Sequence, residues 1–283
     1  MENVLTIESL QNPRVKAAVK LRKGKNRRET GKTLVEGYRE ILRATEGGWR
    51  FVELYFCPSL YLDSGADDLV KKIQASGLPV FQCSEAVFCK MSYRDTPDGL
   101  MALSPLVGKT LAELELPETP LVLVAEHLEK PGNLGTILRT ADATGVDAVI
   151  VCNPRTDINN PNVIRASIGT LFFIPVVEAS TDETLQWLEE HNIQPVAALP
   201  DAVREYTEVD LCGGIAIVVG AEDEGLSEKW NERASLCVRI PMLGENDSLN
   251  VSTAAAVLLY EALRQRKSCA EPIGEGSADG GER

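Results

Sequence analysis

The sequence LCVRIPMLGENDSLNVSTAAAVLLYEALRQR, residues 236–266, contains the signals for a strand, a loop and a helix in one short run. Cys237 to Ile240 is typical of the end of a buried strand, and Pro241 stops it. Residues 244–247 are flexible and polar, which favours a tight loop, and Ser248 and Asn250 are suitable caps for the following helix. Small polar groups in a loop between two buried elements are typical of the ligand-binding edge of an open α/β sheet.

The helix is predicted over Val251–Arg266 because apolar residues recur there at helical spacing. These residues are Val251, Ala254, Ala255, Leu258, Leu259, Ala262 and Leu263.

From Leu121 onward, the chain alternates short apolar strands with amphipathic helices. The expected strands are Leu121–Ala125, Ala148–Cys152, Phe172–Val176, Gln194–Ala198, Ile215–Val219 and Leu236–Ile240. The other expected helices are Leu134–Thr144, Asn162–Ile168, Thr181–His191 and Ser227–Arg233. Strands such as Ile215–Val219 are apolar on both faces, which predicts an α/β fold with a parallel sheet covered by helices on each side.

The first hundred residues are predicted to form a smaller α/β domain. A helix is expected from Asn12-Pro13 to about Lys23, a basic loop over 24–31, and a second helix after Gly37. We therefore predict an N-terminal domain over 1–104, a linker with few apolar anchors over 105–119, and a second domain over 120–268. The Gly-rich, acidic residues 269–283 are expected to be a disordered tail.

The composition indicates a globular protein of the cytoplasm. With 44% hydrophobic and 25% charged residues, the chain has no apolar run of membrane-spanning length, and its N-terminus lacks the order of a signal peptide. The seven cysteines show no close pair spacing, so we expect reduced core thiols and neither a disulfide framework nor a zinc site. The sequence contains only two histidines, so few residues are available as metal ligands, and no metal is implied.

Positive charge is concentrated near the N-terminus, although the whole chain has a net charge of −13. Residues 1–50 contain 12 Lys and Arg against 6 Asp and Glu, a net charge of +6. Such a run is either a solvated helix face or the contact surface for a polyanion, and the mutual repulsion of its charges favours the polyanion. The candidate contacts are Arg14, Arg22, Lys23, Lys25, Arg27, Arg28 and Arg39.

Two more motifs follow predicted strands. In EHLEKPGNLGTILRTADATGV, residues 126–146, Asn133 is the expected helix N-cap, and Gly135 lies one turn before Arg139 on the same face. The missing Cβ of Gly135 is expected to leave room for the guanidinium or a substrate; the alternative is that Arg139 is an ordinary surface residue. In GIAIVVGAEDEGLSEKW, residues 214–230, Gly220 and Gly225 allow backbone N–H groups to approach a ligand closely.

Together these motifs resemble the three motifs of the SpoU (TrmH-like) branch of the SPOUT RNA methyltransferases. They are Asn-x-Gly-x-x-x-Arg at 133–139, Gly-x-Glu-x-x-Gly-Leu-Ser at 220–227, and Ile-Pro-Met with Ser-Leu-Asn-Val-Ser at 240–252. LVEGYREILRA, residues 34–44, resembles the ribosomal-protein-like substrate-binding domain that precedes the catalytic domain in many members. The resemblance implies a homodimer and a deep trefoil knot through which the last helix passes; composition and spacing show neither.

The resemblance also implies a cofactor and a reaction. S-adenosylmethionine is bound through three loops, which here contain Leu199, Gly220, Ile240, Met242 and Leu249. Its methyl group is transferred to a ribose 2′-hydroxyl of RNA, so the basic N-terminal residues become candidate RNA-binding residues. The implied catalytic set is Arg139, Asn133, Glu222, Ser248 and Asn250.

The role of Arg139 has two interpretations. The family assigns the hydroxyl proton to this arginine, but a guanidinium pKa above about 12 makes neutral arginine scarce at neutral pH. Arg139 can instead hold the adjacent phosphate and steer the hydroxyl, while the phosphate or a water receives the proton. The sequence leaves both open.

Ribosomal RNA is the favoured substrate, because members with a separate N-terminal domain more often act on rRNA than on tRNA; tRNA is the alternative. A non-catalytic RNA-binding or ribosome-assembly protein is disfavoured by the intact catalytic set. A nucleotide-binding Rossmann enzyme is disfavoured because no Gly-x-Gly-x-x-Gly follows the strand at 121–125. No membrane partner is expected.

Overall fold

A computed structural model describes residues 4–221 and 223–270, which form two β-sheets with helices packed on their faces. The strands are β1 (Leu5–Ile7), β2 (Lys32–Glu36), β3 (Glu53–Phe56), β4 (Val80–Cys83), β5 (Leu100–Pro105), β6 (Leu121–Glu126), β7 (Ala148–Cys152), β8 (Val176–Ala179), β9 (Gln194–Ala198), β10 (Arg204–Glu205), β11 (Ile215–Val219) and β12 (Leu236–Arg239). The helices are α1 (Pro13–Lys20), α2 (Gly24–Thr30), α3 (Tyr38–Glu46), α4 (Ala66–Ala75), α5 (Glu85–Met91), α6 (Pro131–Thr144), α7 (Pro161–Ala166), α8 (Thr181–Glu190), α9 (Glu228–Arg233) and α10 (Val251–Ala270).

The second sheet is parallel throughout and has the order β10-β12-β9-β11-β6-β7-β8. Its central strand β11 is fully buried, with Ile217 paired to Leu123 of β6 and Val196 of β9. Small and branched apolar residues on both faces explain why helices cover both sides. The predicted parallel α/β fold is confirmed, and the carboxyl ends of β9, β11 and β12 meet at one edge.

The first sheet is mixed and has the order β1-β4-β3-β5-β2. Strand β5 runs antiparallel to both β3 and β2, whereas β1, β4 and β3 are parallel to one another. One face packs its apolar residues, such as Tyr55 and Phe81, against α1 and α5. The smaller N-terminal α/β domain is thus present, and α1 and α3 correspond to the two helices that the sequence predicts.

Two predicted segments have a different structure, one in each domain. Residues 24–30, expected as a loop, form α2, which ends at Gly31 with φ of 64°. The strand expected from Phe172 begins only at Val176, as β8. The preceding residues form a 3-10 turn, in which Phe172 packs against Trp49 of the N-terminal domain with ring centroids 5.3 Å apart.

Helix α10 extends four residues beyond the predicted end, to Ala270. Near its C-terminus Arg266 donates hydrogen bonds to the carbonyls of Leu211, Thr119 and Pro120. Residues 271–283 of the predicted acidic tail lie outside the described residues, and the trefoil knot stays a prediction. None of the helices within 4–221 and 223–270 has the length and apolar character needed to cross a membrane.

Cys212, in the loop before β11, and Cys269, in α10, form a disulfide with Cα atoms 6.7 Å apart. The prediction of reduced core thiols is wrong for this pair, because 57 residues separate them and nothing in their spacing reveals the contact. Cys83 and Cys152 are free and buried as predicted, and burial raises the pKa of each thiol to about 12.

The N-terminal domain and the second domain pack against each other. Asn159, in the loop before α7, exchanges two hydrogen bonds with the backbone of Val107, at 2.7 and 2.8 Å, and its carbonyl accepts from the Thr33 hydroxyl. Lys109 forms a parallel bridge with Val177 at the edge of the second sheet. The segment predicted as a linker is therefore held against the second sheet.

Candidate functional site

A cleft of about 690 Å³ opens where β9, β11 and β12 end. All five residues expected to bind the cofactor line it: Leu199, Gly220, Ile240, Met242 and Leu249. They come from three loops that are far apart in sequence. The sheet brings these loops together because parallel strands end at the same edge.

The cleft also contains residues that were not among the five expected cofactor contacts. These are Ala198, Pro200, Val219, Ala221, Gly225, Val238, Asp247, Val251 and Ala254. Most are apolar or small, while the Asp247 carboxylate and the Ser248 hydroxyl are its polar side-chain groups. An apolar slot with a few polar groups suits a nucleoside with a hydroxylated ribose.

Gly220 is a position at the cleft where the loop leaves no room for a side chain. A Cβ there would overlap the backbone of Gly225, because the loop turns back and joins Ala221 to Gly225 in an antiparallel bridge. Gly225 has φ of 67°, a conformation that favours glycine. The loop therefore presents bare backbone to the cleft, and these residues fit S-adenosylmethionine held through backbone groups and apolar contacts.

Asn133 and Asn250 connect the start of α6 to the start of α10. Asn250 Nδ2 donates to Asn133 Oδ1 at 3.3 Å, and Asn250 Oδ1 accepts from the backbone N–H of Ser252 at 3.0 Å. Asn250 is thus the cap of α10, as predicted. Asn133 lies inside the first turn of α6, whose N-cap is Lys130, so the prediction of Asn133 as the cap is wrong.

The structure divides the predicted catalytic set. Ser248 lines the cleft. Asn133 lies in a smaller neighbouring depression that shares Ala221 and Val251 with it. Arg139 lies on the exposed face of α6 and is not among the residues of the cleft. Glu222 lies outside the described residues, so the structure assigns it no position.

Gly135 has a different explanation from the one that its spacing suggested. A Cβ at Gly135 would overlap Ala166 and crowd the backbone N–H of Ser167, because α6 crosses α7 closely at this point. The expectation that Gly135 leaves room for Arg139 or a substrate is therefore wrong. The glycine permits helix packing.

Glu126 is a residue of the site that the sequence analysis missed. It is fully buried at the end of β6, and its carboxylate accepts hydrogen bonds from Thr181 Oγ1 at 2.5 Å, the Ser227 backbone N–H at 2.7 Å and Ser227 Oγ at 2.9 Å. Ser227 directly follows the loop that contains Gly225. Glu126 thus anchors that loop, and the only signal in the sequence was an acid at the end of an apolar strand.

Arg155 joins the loops of the first two motifs. Its Nη1 lies 2.6 Å from Glu129 Oε1 and its Nη2 lies 2.5 Å from Glu224 Oε2. The hydrogen bond from Arg155 lowers the pKa of Glu224. This exposed bridge closes one side of the depression beside the cleft.

The predicted RNA-binding residues have different environments. Arg27 is 3% exposed and donates to Asp157 and to the carbonyls of Leu21 and Arg22, so including it among the RNA contacts was wrong. The side chain of Arg22 is occupied by the carbonyls of Lys90 and Ser92.

The other basic candidates remain accessible. Arg14 lies 3.5 Å from Glu53 and over the ring of Phe81, and Lys25 lies 3.7 Å from Glu29. Lys23, Arg28 and Arg39 are exposed. Within the described residues, no group of three or more His, Cys, Asp or Glu side chains is arranged to hold a metal ion.

Comparison with known proteins agrees with this geometry. Residues 120–260 match the model of the SpoU rRNA Methylase family, and residues 12–102 match that of the MRM3-like substrate binding domain. A curated relative, the 23S rRNA (guanosine(2553)-2′-O)-methyltransferase RlmP of Bacillus subtilis, is 29% identical over 254 residues, which cover 90% of this chain and 97% of the relative.

Two solved structures are similar over nearly the whole chain. A crystal structure of an RNA 2′-O ribose methyltransferase superposes with a TM-score of 0.80 at 43% identity, covering 93% of this chain and 100% of that one. The AdoMet-bound rRNA methyltransferase from Sinorhizobium meliloti superposes with a TM-score of 0.84 at 29% identity, covering 92% of this chain and 98% of that one.

Proposed function

Because the chain belongs to the SpoU rRNA methylase family, we propose that it transfers the methyl group of S-adenosylmethionine to a ribose 2′-hydroxyl of ribosomal RNA. One observation carries the proposal: loops that lie far apart in the sequence meet in one cleft lined by all five expected cofactor residues. Ribosomal RNA is preferred to tRNA because RlmP of Bacillus subtilis, a relative that matches almost end to end, is a 23S rRNA methyltransferase.

The cofactor residues would hold S-adenosylmethionine by shape and by backbone contact. Ile240 and Leu249, two apolar residues of the cleft, are suited to hold the adenine ring, and the bare backbone at Gly220 suits close approach of the rest of the molecule. Asp247, at the same cleft, is suited to accept hydrogen bonds from ribose hydroxyls. The bound cofactor supplies an electrophilic methyl group on a sulfonium.

Arg139, Asn133, Ser248 and Asn250 are proposed to position the RNA ribose against that methyl group. Arg139 is exposed to solvent, and its guanidinium presents a fork of N–H donors that suits a phosphate. We therefore favour its second role, holding the phosphate next to the reacting ribose so that the 2′-hydroxyl is aimed at the methyl carbon. The proton then goes to that phosphate or to a water.

The chain is further proposed to act as a homodimer. Helix α10 carries an exposed stripe that includes Thr253, Tyr260 and Arg264, and Tyr260 is 53% exposed. An exposed aromatic ring on a long helix is suited to packing against a second copy. Sedimentation would test this, since Tyr260→Asp should shift the protein to a monomer. A location in the cytoplasm is part of the same proposal.

The role of Arg139 is tested by single-turnover methyl transfer to ribosomal RNA. Arg139→Ala should reduce the rate about a hundredfold or more, roughly the contribution of one well-positioned catalytic group. Arg139→Lys should restore little, because lysine lacks the bidentate fork that holds a phosphate. The matched control is Arg233→Ala, which removes an exposed arginine paired with Glu189 and should leave the rate unchanged. Near-parent activity of Arg139→Ala would exclude Arg139 from the mechanism.

A further inference from the structure

A second, larger groove lies in the N-terminal domain between α1 and α2. Its volume, counted together with the adjoining space that is open to solvent, is about 1580 Å³. Lys16 and Lys20 line it from α1, and Lys32 lines it from the start of β2. Tyr55 and Leu103 contribute to its floor, on the face of the first sheet that these two helices leave partly uncovered.

Three cations of this groove have no counter-charge. Within the described residues, the ammonium groups of Lys16, Lys20 and Lys32 make no ion pair or hydrogen bond. Lys16 and Lys20 are exposed on the wall, whereas Lys32 is half-buried at the floor. In a chain with a net charge of −13, this is a local concentration of available positive charge.

The two acids that line the groove are already paired. Glu53 lies 3.5 Å from Arg14 and accepts a hydrogen bond from the Tyr55 hydroxyl. Glu29 lies 3.7 Å from Lys25 on the rim. These acids therefore do little to cancel the charge of the lysines, and the groove is suited to an anionic ligand.

Arg27, in α2, holds the two helices of the groove together. Its Nη1 donates to the carbonyls of Leu21 and Arg22, at the end of α1, at 2.7 and 3.1 Å. Its Nε and Nη2 donate to Asp157 of the second domain at 2.9 and 2.7 Å. One buried side chain thus connects both helices of the groove to each other and to the methyl-transfer domain.

We propose that this groove binds a single-stranded segment of the RNA substrate through its phosphates, an inference that rests on the function proposed above. Lys32 lies at the floor, so a phosphate must enter the groove to reach all three lysines. An extended single strand can do so, whereas a duplex carries its phosphates on the outside of a cylinder and reaches only the rim. An acidic polypeptide is the competing ligand, but β2, the edge strand whose Lys32 lines the groove, is buried over the rest of its length and packs against α7, so its edge is little accessible to a peptide backbone.

The proposal is tested by fluorescence anisotropy with a labelled single-stranded RNA and a duplex of the same length, over a range of salt concentrations. The groove variant is Lys16→Ala/Lys20→Ala/Lys32→Ala in the full chain. It should lower the slope of log affinity against log salt by about 2 units for the single strand, because each phosphate contact contributes about 0.7. The matched variant Lys71→Ala/Lys72→Ala/Lys90→Ala removes the same charge from exposed positions of the same domain outside the groove and should change the slope much less.

Labelled polyglutamate is included as a second probe. Four outcomes would overturn the proposal: a parental salt slope in the groove variant, an equal reduction of the slope in the matched variant, tighter binding of the duplex than of the single strand, or a groove variant that loses only its binding to polyglutamate. The last would assign the groove to an acidic polypeptide. Circular dichroism is the check that each variant is folded. Binding of S-adenosylmethionine and methyl transfer by the parent report separately on the proposed function, so its failure is distinguishable from failure of the groove.

Discussion

The buried ion pair between Arg27 and Asp157 provides a stringent test of how the two domains are joined. Arg27 is 3% exposed and the Asp157 side chain 17% exposed, and two hydrogen bonds of 2.9 and 2.7 Å connect them. Asp157→Asn keeps the shape but removes the negative charge, which leaves a buried guanidinium without its counter-charge. Breaking such a pair costs about 3–5 kcal/mol; because Asn keeps one acceptor oxygen, we expect about 3 kcal/mol.

For a chain of this size, that loss lowers the melting temperature by roughly 6–10 °C. The assay is thermal unfolding followed by circular dichroism. Asp182→Asn is the matched control, because Asp182 forms an ion pair with Lys229 in which both side chains are more than half exposed, and such pairs contribute about 1 kcal/mol or less. If Asp157→Asn and Asp182→Asn lower the free energy of unfolding by the same amount, the ion pair between Arg27 and Asp157 does not hold the domains together.

Three further predictions concern the cleft and the cysteines. Gly220→Ala should weaken S-adenosylmethionine binding at least a hundredfold in calorimetry, because its Cβ would overlap Gly225. Gly244→Ala is the control, since the space around Gly244 is open, and it should bind the cofactor with the parental affinity. Equal affinities of the two variants would contradict this role of Gly220. Glu126→Ala should leave the Ser227 N–H unsatisfied and cost about 1–3 kcal/mol in denaturant unfolding, whereas an unchanged midpoint would argue against the anchor. Alkylation at pH 8 without reductant should modify the exposed Cys89 and spare the buried Cys83 and Cys152, and peptide mapping should find Cys212 linked to Cys269. Reduction of this disulfide should lower the free energy of unfolding by about 4 kcal/mol. Free thiols at both positions would refute the link.

The second sheet was accessible from the sequence because its signals are local. Runs such as Ile215–Val219 are apolar on both faces, and their length and spacing mark a buried parallel strand whatever surrounds them. The cofactor residues followed from the resemblance, and the strand ends then brought them to one cleft. Boundaries were less accurate where a distant contact decides them, as at Phe172, which packs on Trp49 instead of entering a strand.

The features that were missed depend on residues far apart in the sequence. Arg27 looked like one more exposed cation because its partner, Asp157, is 130 residues away. Gly135 looked like part of a binding site because Ala166, the residue it accommodates, belongs to another helix. Glu126 carried only the weak signal of an acid at the end of a strand, since its donors Thr181 and Ser227 come from two later segments.

The central claim is that the cleft supports methyl transfer to ribose. The most direct measurement incubates the purified protein with S-adenosylmethionine carrying a deuterated methyl group and with ribosomal RNA or tRNA, followed by mass spectrometry of the nucleosides. We expect deuterated 2′-O-methylnucleosides from ribosomal RNA, with transfer strongly reduced in Gly220→Ala and Arg139→Ala and unchanged in Arg233→Ala. Deuterium on a base, or no transfer to any RNA by a protein that binds the cofactor, would contradict it.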